Sequence, residues 1–133
     1  PDNIISLVDF NKPMYAIDAI DEIDSKTSLI SEFVKNNIPF VSSMGAGSRL
    51  DSSKIKVDDI SRTHSCPLAR IMRKKLKLAG IQKGVRCIFS TENLNKIKEP
   101  EQTEGKRMLG SISFIPGIFG LIAAGLIIND IID

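Results

Sequence analysis

Tryptophan is absent from this 133-residue sequence, tyrosine occurs once, and aromatics amount to 5%. There is accordingly no aromatic interleaving of the kind that stacks nucleic-acid bases. Cysteine is as scarce. Cys66 and Cys87 cannot build a disulfide framework or a four-cysteine zinc site, so a reducing, cytoplasmic setting is expected. His64 is the only histidine, and without a cysteine or acid at metal-ligand spacing it reads as a loop residue. Neither charge sign dominates: the formal net charge is +2, a soluble globular balance without disordered bias. There is no unbroken apolar run of membrane-spanning length. The uncharged stretch 110–128 is interrupted by Pro116 and several glycines and lacks a basic flank, so no membrane span is expected. It reads as a strand-like lead-in to Ile115 and then a buried helix from Pro116 to about Ile131. Gly120 and Ala124 would let that helix approach a sheet or a partner helix closely. The sequence starts at Pro1 with no initiator methionine and no signal-peptide pattern. The expectation is a single-domain piece, 1–133, of something longer.

What is present is an α/β pattern. Tyr15-Ala16-Ile17-Asp18-Ala19-Ile20-Asp21 is an apolar run ending in two carboxylates, as a buried parallel strand delivers acids to its C-terminal edge. A carboxylate there can hold a magnesium ion that bridges nucleotide phosphates; equally, Asp18 or Asp21 could cap the next helix. The spacing of Leu29, Ile30, Phe33 and Val34 predicts a helix over 25–37. A second strand is expected over 38–42, completing a βαβ unit with a right-handed crossover. The loop Ser43-Met44-Gly45-Ala46-Gly47-Ser48-Arg49 follows a strand but lacks a third glycine, and another strand comes after it rather than an amphipathic helix. It fails the phosphate-loop test, and its glycines read as backbone devices, for positive φ or close approach.

Lys54 to Val57 is a half-exposed strand, and Pro67 opens a helix with Leu68, Ile71, Met72, Leu76 and Ala79 on one face and Gly80 at its end. Residues 84–90 form another strand. Between Asp59 and Glu92 there is no acid, while Arg62, Arg70, Arg73, Lys74, Lys75, Lys77, Lys83 and Arg86 recur. This window is a candidate phosphate-backbone surface, with a solvated helix face as the plainer reading. Cys66 lies near Arg62 and His64, just before a helix N-terminus, features that lower a thiol pKa. It is therefore a candidate nucleophile, the alternative being an incidental exposed cysteine. Cys87 reads as inert core. The hydrophilic segment 91–110 reads as a long mobile loop.

Several stretches together resemble a known family. Tyr15 to Asp21 with Lys26 is similar to the magnesium-site segment of the ThiF/MoeB superfamily of adenylating enzymes, relatives of ubiquitin-activating enzymes. Ile38 to Gly47 looks like the strand and glycine loop that follow it. Ile55 to Thr63, Pro67-Leu68-Ala69-Arg70, Cys87 to Glu92, and the segments 110–116 and 119–121 resemble the TcdA (CsdL) branch, the tRNA threonylcarbamoyladenosine dehydratases. The resemblance implies the C-terminal half of a Rossmann-like fold, a mixed sheet with flanking helices. It further implies ATP and Mg2+ as cofactors, tRNA as substrate, and a homodimer. On it, Asp21 matches the metal and nucleotide carboxylate, and Asp18 would support it from the strand end. The tRNA-facing residues would be Arg62, Arg70, Arg73, Lys74 and Lys77. The family's glycine-rich nucleotide loop and catalytic arginine and lysine lie upstream of the segment that Pro1 matches, so this stretch alone is expected to be inactive. Cys66 stands where the branch carries an acid. That keeps open an activator of a sulfur-carrier or ubiquitin-like protein with Cys66 as acceptor. A non-catalytic dimerisation or tRNA-docking module is the other alternative.

Overall fold

A computed structural model describes residues 8–9, 11–93 and 114–133. Along the chain run β1 (Ala16–Asp18), α1 (Ile23–Lys35), β2 (Phe40–Ser43), β3 (Ile55–Asp59), α2 (Pro67–Leu78), β4 (Arg86–Ser90) and α3 (Phe114–Ile132), with short 3-10 turns before and after β3. The four strands form one sheet in the order β1-β2-β4-β3. β1, β2 and β4 are parallel, whereas β3 runs antiparallel beside β4. The mixed sheet is the one expected from the sequence. The short helix or turn that Pro1-Asp2-Asn3 suggests over 1–7, and the loop of 91–110 beyond Asn93, lie outside the described residues.

Strand alternation builds two cores. Phe40, Cys87 and Phe89 point towards α1 and α2, where they meet Ile30, Phe33, Ala69, Met72 and Leu76. Val41 and Ile88, one residue out of phase, point to the opposite face and meet Ile115, Phe119 and Ala123 of α3. A side-chain period of two explains why Phe40-Val41 and Cys87-Ile88-Phe89 are unbroken apolar runs, since both faces of the sheet are covered there.

The helix ends follow local rules. At the end of α1, Asn37 adopts φ 52°, its N–H bonds Val34 O, and Ile38 N–H reaches back to Phe33 O at 2.9 Å. At the end of α2, Gly80 adopts φ 80°, with Gly80 N–H to Lys77 O and Ile81 N–H to Leu76 O at 2.8 Å. Both are Schellman closures, in which a left-handed residue turns two spare helix carbonyls onto following amides. The start of α1 differs from expectation. Neither Asp18 nor Asp21 caps it; Glu22 does, accepting from Asp24 N at 3.0 Å and Ser25 N at 2.7 Å. The hydrogen bonds from Ser25, ahead of the one from Asp24, hold the Glu22 carboxyl below its usual range.

Three further expectations change. The inner face of α2 is Ala69, Met72 and Leu76, while Ile71 and Ala79 are exposed and Leu68 is half-buried. The apolar residues span more than one stripe, and the sheet selects the one that reaches it. Phe114 and Ile115 begin the helix rather than ending a strand. Finally, α3 is a half-packed helix, not a buried one: Leu121, Ile128 and Ile132 stand 75%, 55% and 72% exposed. It is long and apolar enough to cross a bilayer, but its inner face closes the second core.

The far end of α3 is held electrostatically. Arg86 donates to both carboxylate oxygens of Asp130, one of them at 3.0 Å, and Tyr15 donates to Asp130 O at 3.3 Å. The hydrogen bond from Arg86 keeps the Asp130 carboxyl below its usual range. A depressed carboxylate adds stability that is fully present above the unfolded pKa and disappears as pH falls through the folded one. Amide exchange along the last turns of α3 is therefore expected to rise selectively in acid below the ordinary aspartate range. In Asp130→Asn the acid-dependent rise should vanish.

Candidate functional site at the carboxyl edge of the sheet

β1, β2 and β4 all end on one edge, at Asp18, Ser43 and Ser90. The segments beyond those ends, 19–22, 44–50 and 91–93, together with the residues preceding α2, assemble there.

Asp18 is fully buried, and both its oxygens are engaged. Oδ1 accepts from Ile20 N at 3.0 Å, and Oδ2 accepts from Ser42 Oγ at 2.6 Å. Lys26 Nζ lies 2.7 Å from the same Oδ2, with both side chains wholly out of solvent. The ammonium also donates to Ile20 O at 2.9 Å and to Ser43 O at 2.8 Å, so its three protons have three acceptors. Asp18 is thus a structural anchor whose lone pairs point inward. Asp21 is the opposite case. It is exposed, three residues beyond the strand, and makes no hydrogen bond or ion pair among the described residues. Two aspartates three apart in sequence therefore have divided duties: one holds the edge and the other is free to bind.

The glycine loop owes its shape to other residues. Gly45 and Gly47 do not take positive φ; Ser48 does, at 58°. A Cβ on Gly45 would meet Leu68 Cβ at 3.7 Å and Cys66 Sγ at 3.9 Å, ordinary contacts that do not demand glycine. The residue that organises the loop is Arg49, 1% exposed. It donates to Glu92 O and, at 3.2 Å, to Ser65 O, tying the loop to the end of β4 and to the connection before α2. Glu92 returns the link by accepting from Leu50 N and Asp51 N at 2.9 and 3.0 Å. Sequence pattern does not single out Arg49 or Glu92. The only signal is an arginine closing an otherwise uncharged loop.

Cys66 is the residue preceding α2 and is 4% exposed, packed in the first core. It is neither the exposed cysteine expected as the alternative nor an open acceptor, and its side chain makes no capping bond to the helix. The contacts of His64 are with other residues, Nδ1 lying 3.3 Å from Ser65 Oγ and the ring edge-on to Phe89 at 5.8 Å. Cys87 is core, as expected; burial pushes its thiol pKa far up.

The basic window separates into paired and unpaired cations. Arg62 is bound by Asp58, Nε to Oδ1 at 2.6 Å. Because β3 runs antiparallel, Arg62 leaves it near the start of β4, at the edge opposite Asp21. The hydrogen bond from Asp59 N, ahead of that from Arg62, lowers the Asp58 pKa. Arg73 donates to Thr63 O at 2.6 Å and to Thr63 Oγ1, pinning the connection before α2. Lys75 pairs with Asp24 at 2.8 Å. Arg70, Lys74 and Lys77 are exposed and without an ion-pair partner among the described residues. At i, i+4 and i+7 they share one stripe of α2. Arg70, Lys74, Arg73, Ser65 and Cys66 line a shallow depression of about 510 Å³.

Among the described residues no three His, Cys, Asp or Glu side chains gather as a standing metal site. One free carboxylate suits instead a magnesium ion that arrives with a nucleotide, since that ion keeps waters and takes one or two carboxylates plus phosphate oxygens.

The chain is similar to known proteins along most of its length. The chain is 38% identical over 128 residues to the tRNA threonylcarbamoyladenosine dehydratase of Bacillus subtilis, across 89% of this chain and 50% of that protein. The Escherichia coli enzyme TcdA in complex with AMP superposes with a TM-score of 0.77 at 34% identity, covering 89% of this chain and 48% of the other. Its complex with ATP gives 0.75 at 30% identity, covering 96% and 50%. No protein-family model matches. The chain spans about half the length of these proteins.

Proposed function

We propose, for a chain that belongs to the tRNA threonylcarbamoyladenosine dehydratase family, that it forms part of an ATP-dependent enzyme closing threonylcarbamoyladenosine in tRNA into a ring. A carboxylate is a poor electrophile. Transfer of AMP onto its oxygen, with release of pyrophosphate, makes that oxygen a leaving group. A nucleophile within the same modified side chain then displaces AMP, and the substrate has lost one water. Magnesium, when bound, neutralises charge on the nucleotide phosphates. Asp21 would hold it. Asp18 would not touch it, because Lys26, Ser42 and Ile20 occupy its oxygens.

The observation that carries this reading is the free, exposed Asp21 at the carboxyl edge, beside a fully engaged Asp18. The test is mass spectrometry of tRNA carrying threonylcarbamoyladenosine after incubation with ATP and the natural protein containing this sequence. Loss of one water is expected only with ATP. AMP attached to a small carrier protein, with the tRNA unchanged, would overturn it.

The Arg70, Lys74 and Lys77 stripe is the tRNA-facing surface in this reading; Arg62 and Arg73 have partners of their own. Each cation withdrawn from a phosphate takes about one counterion out of the salt dependence. The triple alanine variant is therefore expected to lower the slope of log K against log salt by up to about three for tRNA. An unchanged slope would place the tRNA elsewhere. The apolar outer face of α3 is where a second copy of the chain would sit in the expected homodimer.

A further inference from the structure

We propose that Lys26 and Asp18 are positioning residues that set the metal-binding carboxylate of Asp21 and couple it to the glycine loop. The proposal rests on the reading of Asp21 given above. Its basis is the connectivity of one buried ammonium and one buried carboxylate.

Ile20 immediately precedes Asp21. Its N–H is held by Asp18 Oδ1 and its C=O by Lys26 Nζ. Fixing both polar groups of one residue fixes the plane of the peptide that leads into Asp21, and with it the direction in which that side chain leaves the chain. The same Nζ holds Ser43 O, the last residue of β2 before the loop 44–50. Asp18 adds a second tie to β2 through Ser42 Oγ. The segment carrying Asp21 and the loop that follows β2 therefore hang from one charge pair. Simpler stabilising needs are met elsewhere: Glu22 caps α1, and Ile30 and Phe33 already seat that helix on the core. A buried lysine whose three protons reach the ends of two strands, β1 through Asp18 and Ile20 and β2 through Ser43, does what an apolar side chain could not.

The test uses the double variant Asp18→Asn with Lys26→Met in the natural protein. It changes no net charge, so electrostatic attraction for a cation is preserved. The amide oxygen still accepts from Ile20 N, and the amide NH2 that replaces Oδ2 can donate to Ser42 Oγ instead of accepting from it, but Ile20 O and Ser43 O lose their common donor. The readout is Mn2+ affinity in the presence of ATP, followed by electron paramagnetic resonance and independent of turnover. Outer partners of metal-binding groups typically carry ten- to a hundredfold in affinity, so the double variant is expected to weaken Mn2+ binding about tenfold. Ser42→Ala, which removes one bond and no charge and keeps the Lys26–Asp18 pair, should weaken it about twofold. Asp21→Ala runs beside them. Weaker Mn2+ binding in Asp21→Ala but wild-type affinity in the other variants overturns the positioning role and leaves Asp21 as ligand. Unchanged affinity in Asp21→Ala overturns both. Should the double variant not fold, Ser42→Ala decides: wild-type affinity there overturns the proposal.

Discussion

Lys26→Met alone is expected to destabilise the protein by about 3–5 kcal/mol, the largest single effect this fold should show. The reason is asymmetry. Burying the pair is costly in itself, and the attraction at 2.7 Å roughly offsets that cost. Removing only the lysine leaves the Asp18 carboxylate at 0% exposure with hydrogen bonds but no countercharge, and strands Ile20 O and Ser43 O. Adding Asp18→Asn removes the stranded charge, and exchange of a buried pair for neutral, well-filled groups is often close to neutral in stability. The denaturation midpoint should accordingly fall steeply in Lys26→Met and return most of the way in the double variant, with the slope of the transition unchanged. A single variant as stable as the parent would mean that Asp18 is reached by water or by another cation.

Asp21→Ala should do the reverse, leaving stability within about 0.5 kcal/mol, as for exposed side chains without partners, while, on the function proposed above, ATP-dependent dehydration of tRNA by the natural protein falls about a hundredfold or more. The magnitude follows from what single preorganised groups contribute to stabilising developing charge. Raising Mg2+ should recover part of the loss, because the nucleotide phosphates remain as ligands. Asp18→Asn, by contrast, should lower stability as well as metal affinity, because it leaves the Lys26 ammonium buried without its countercharge. Equal loss of dehydration at every Mg2+ concentration would remove Asp21 from the metal's surroundings and assign it another role. The two aspartates are close in sequence and alike in chemistry. Only their surroundings separate them.

Much of the fold is legible in the residue pattern. Strand, helix and strand around Asp18 and Ser42 follow from apolar spacing, and Pro67 and Gly80 bracket α2 because each suits one end of a helix. The arrival of Asp21 just beyond a strand, and the resemblance of the surrounding segments to adenylating enzymes, are likewise sequence properties. They depend on short-range order, in which three or four neighbours determine the outcome.

Other features depend on residues far apart along the chain. Asp18 and Ser42 are 24 residues apart, Arg86 and Asp130 44, Lys75 and Asp24 51. The window between Asp59 and Glu92 is basic in sequence, yet Arg62, Lys75 and Arg86 are paired with acids outside it, which leaves Arg70, Lys74 and Lys77 as the unpaired stripe of α2, with Lys83 exposed beyond the helix. Arg49 reads as a loop cation and is instead buried across two segment ends. Local residue order was enough for the elements from β1 to β4, their succession and the carboxylate at the strand end, but not for the strand-like lead-in to Ile115, which is helix. Which charges are consumed inside the fold and which remain for a ligand emerged only on folding, because Coulomb attraction and desolvation depend on distance and burial, and neither is written in the spacing of residues along the chain.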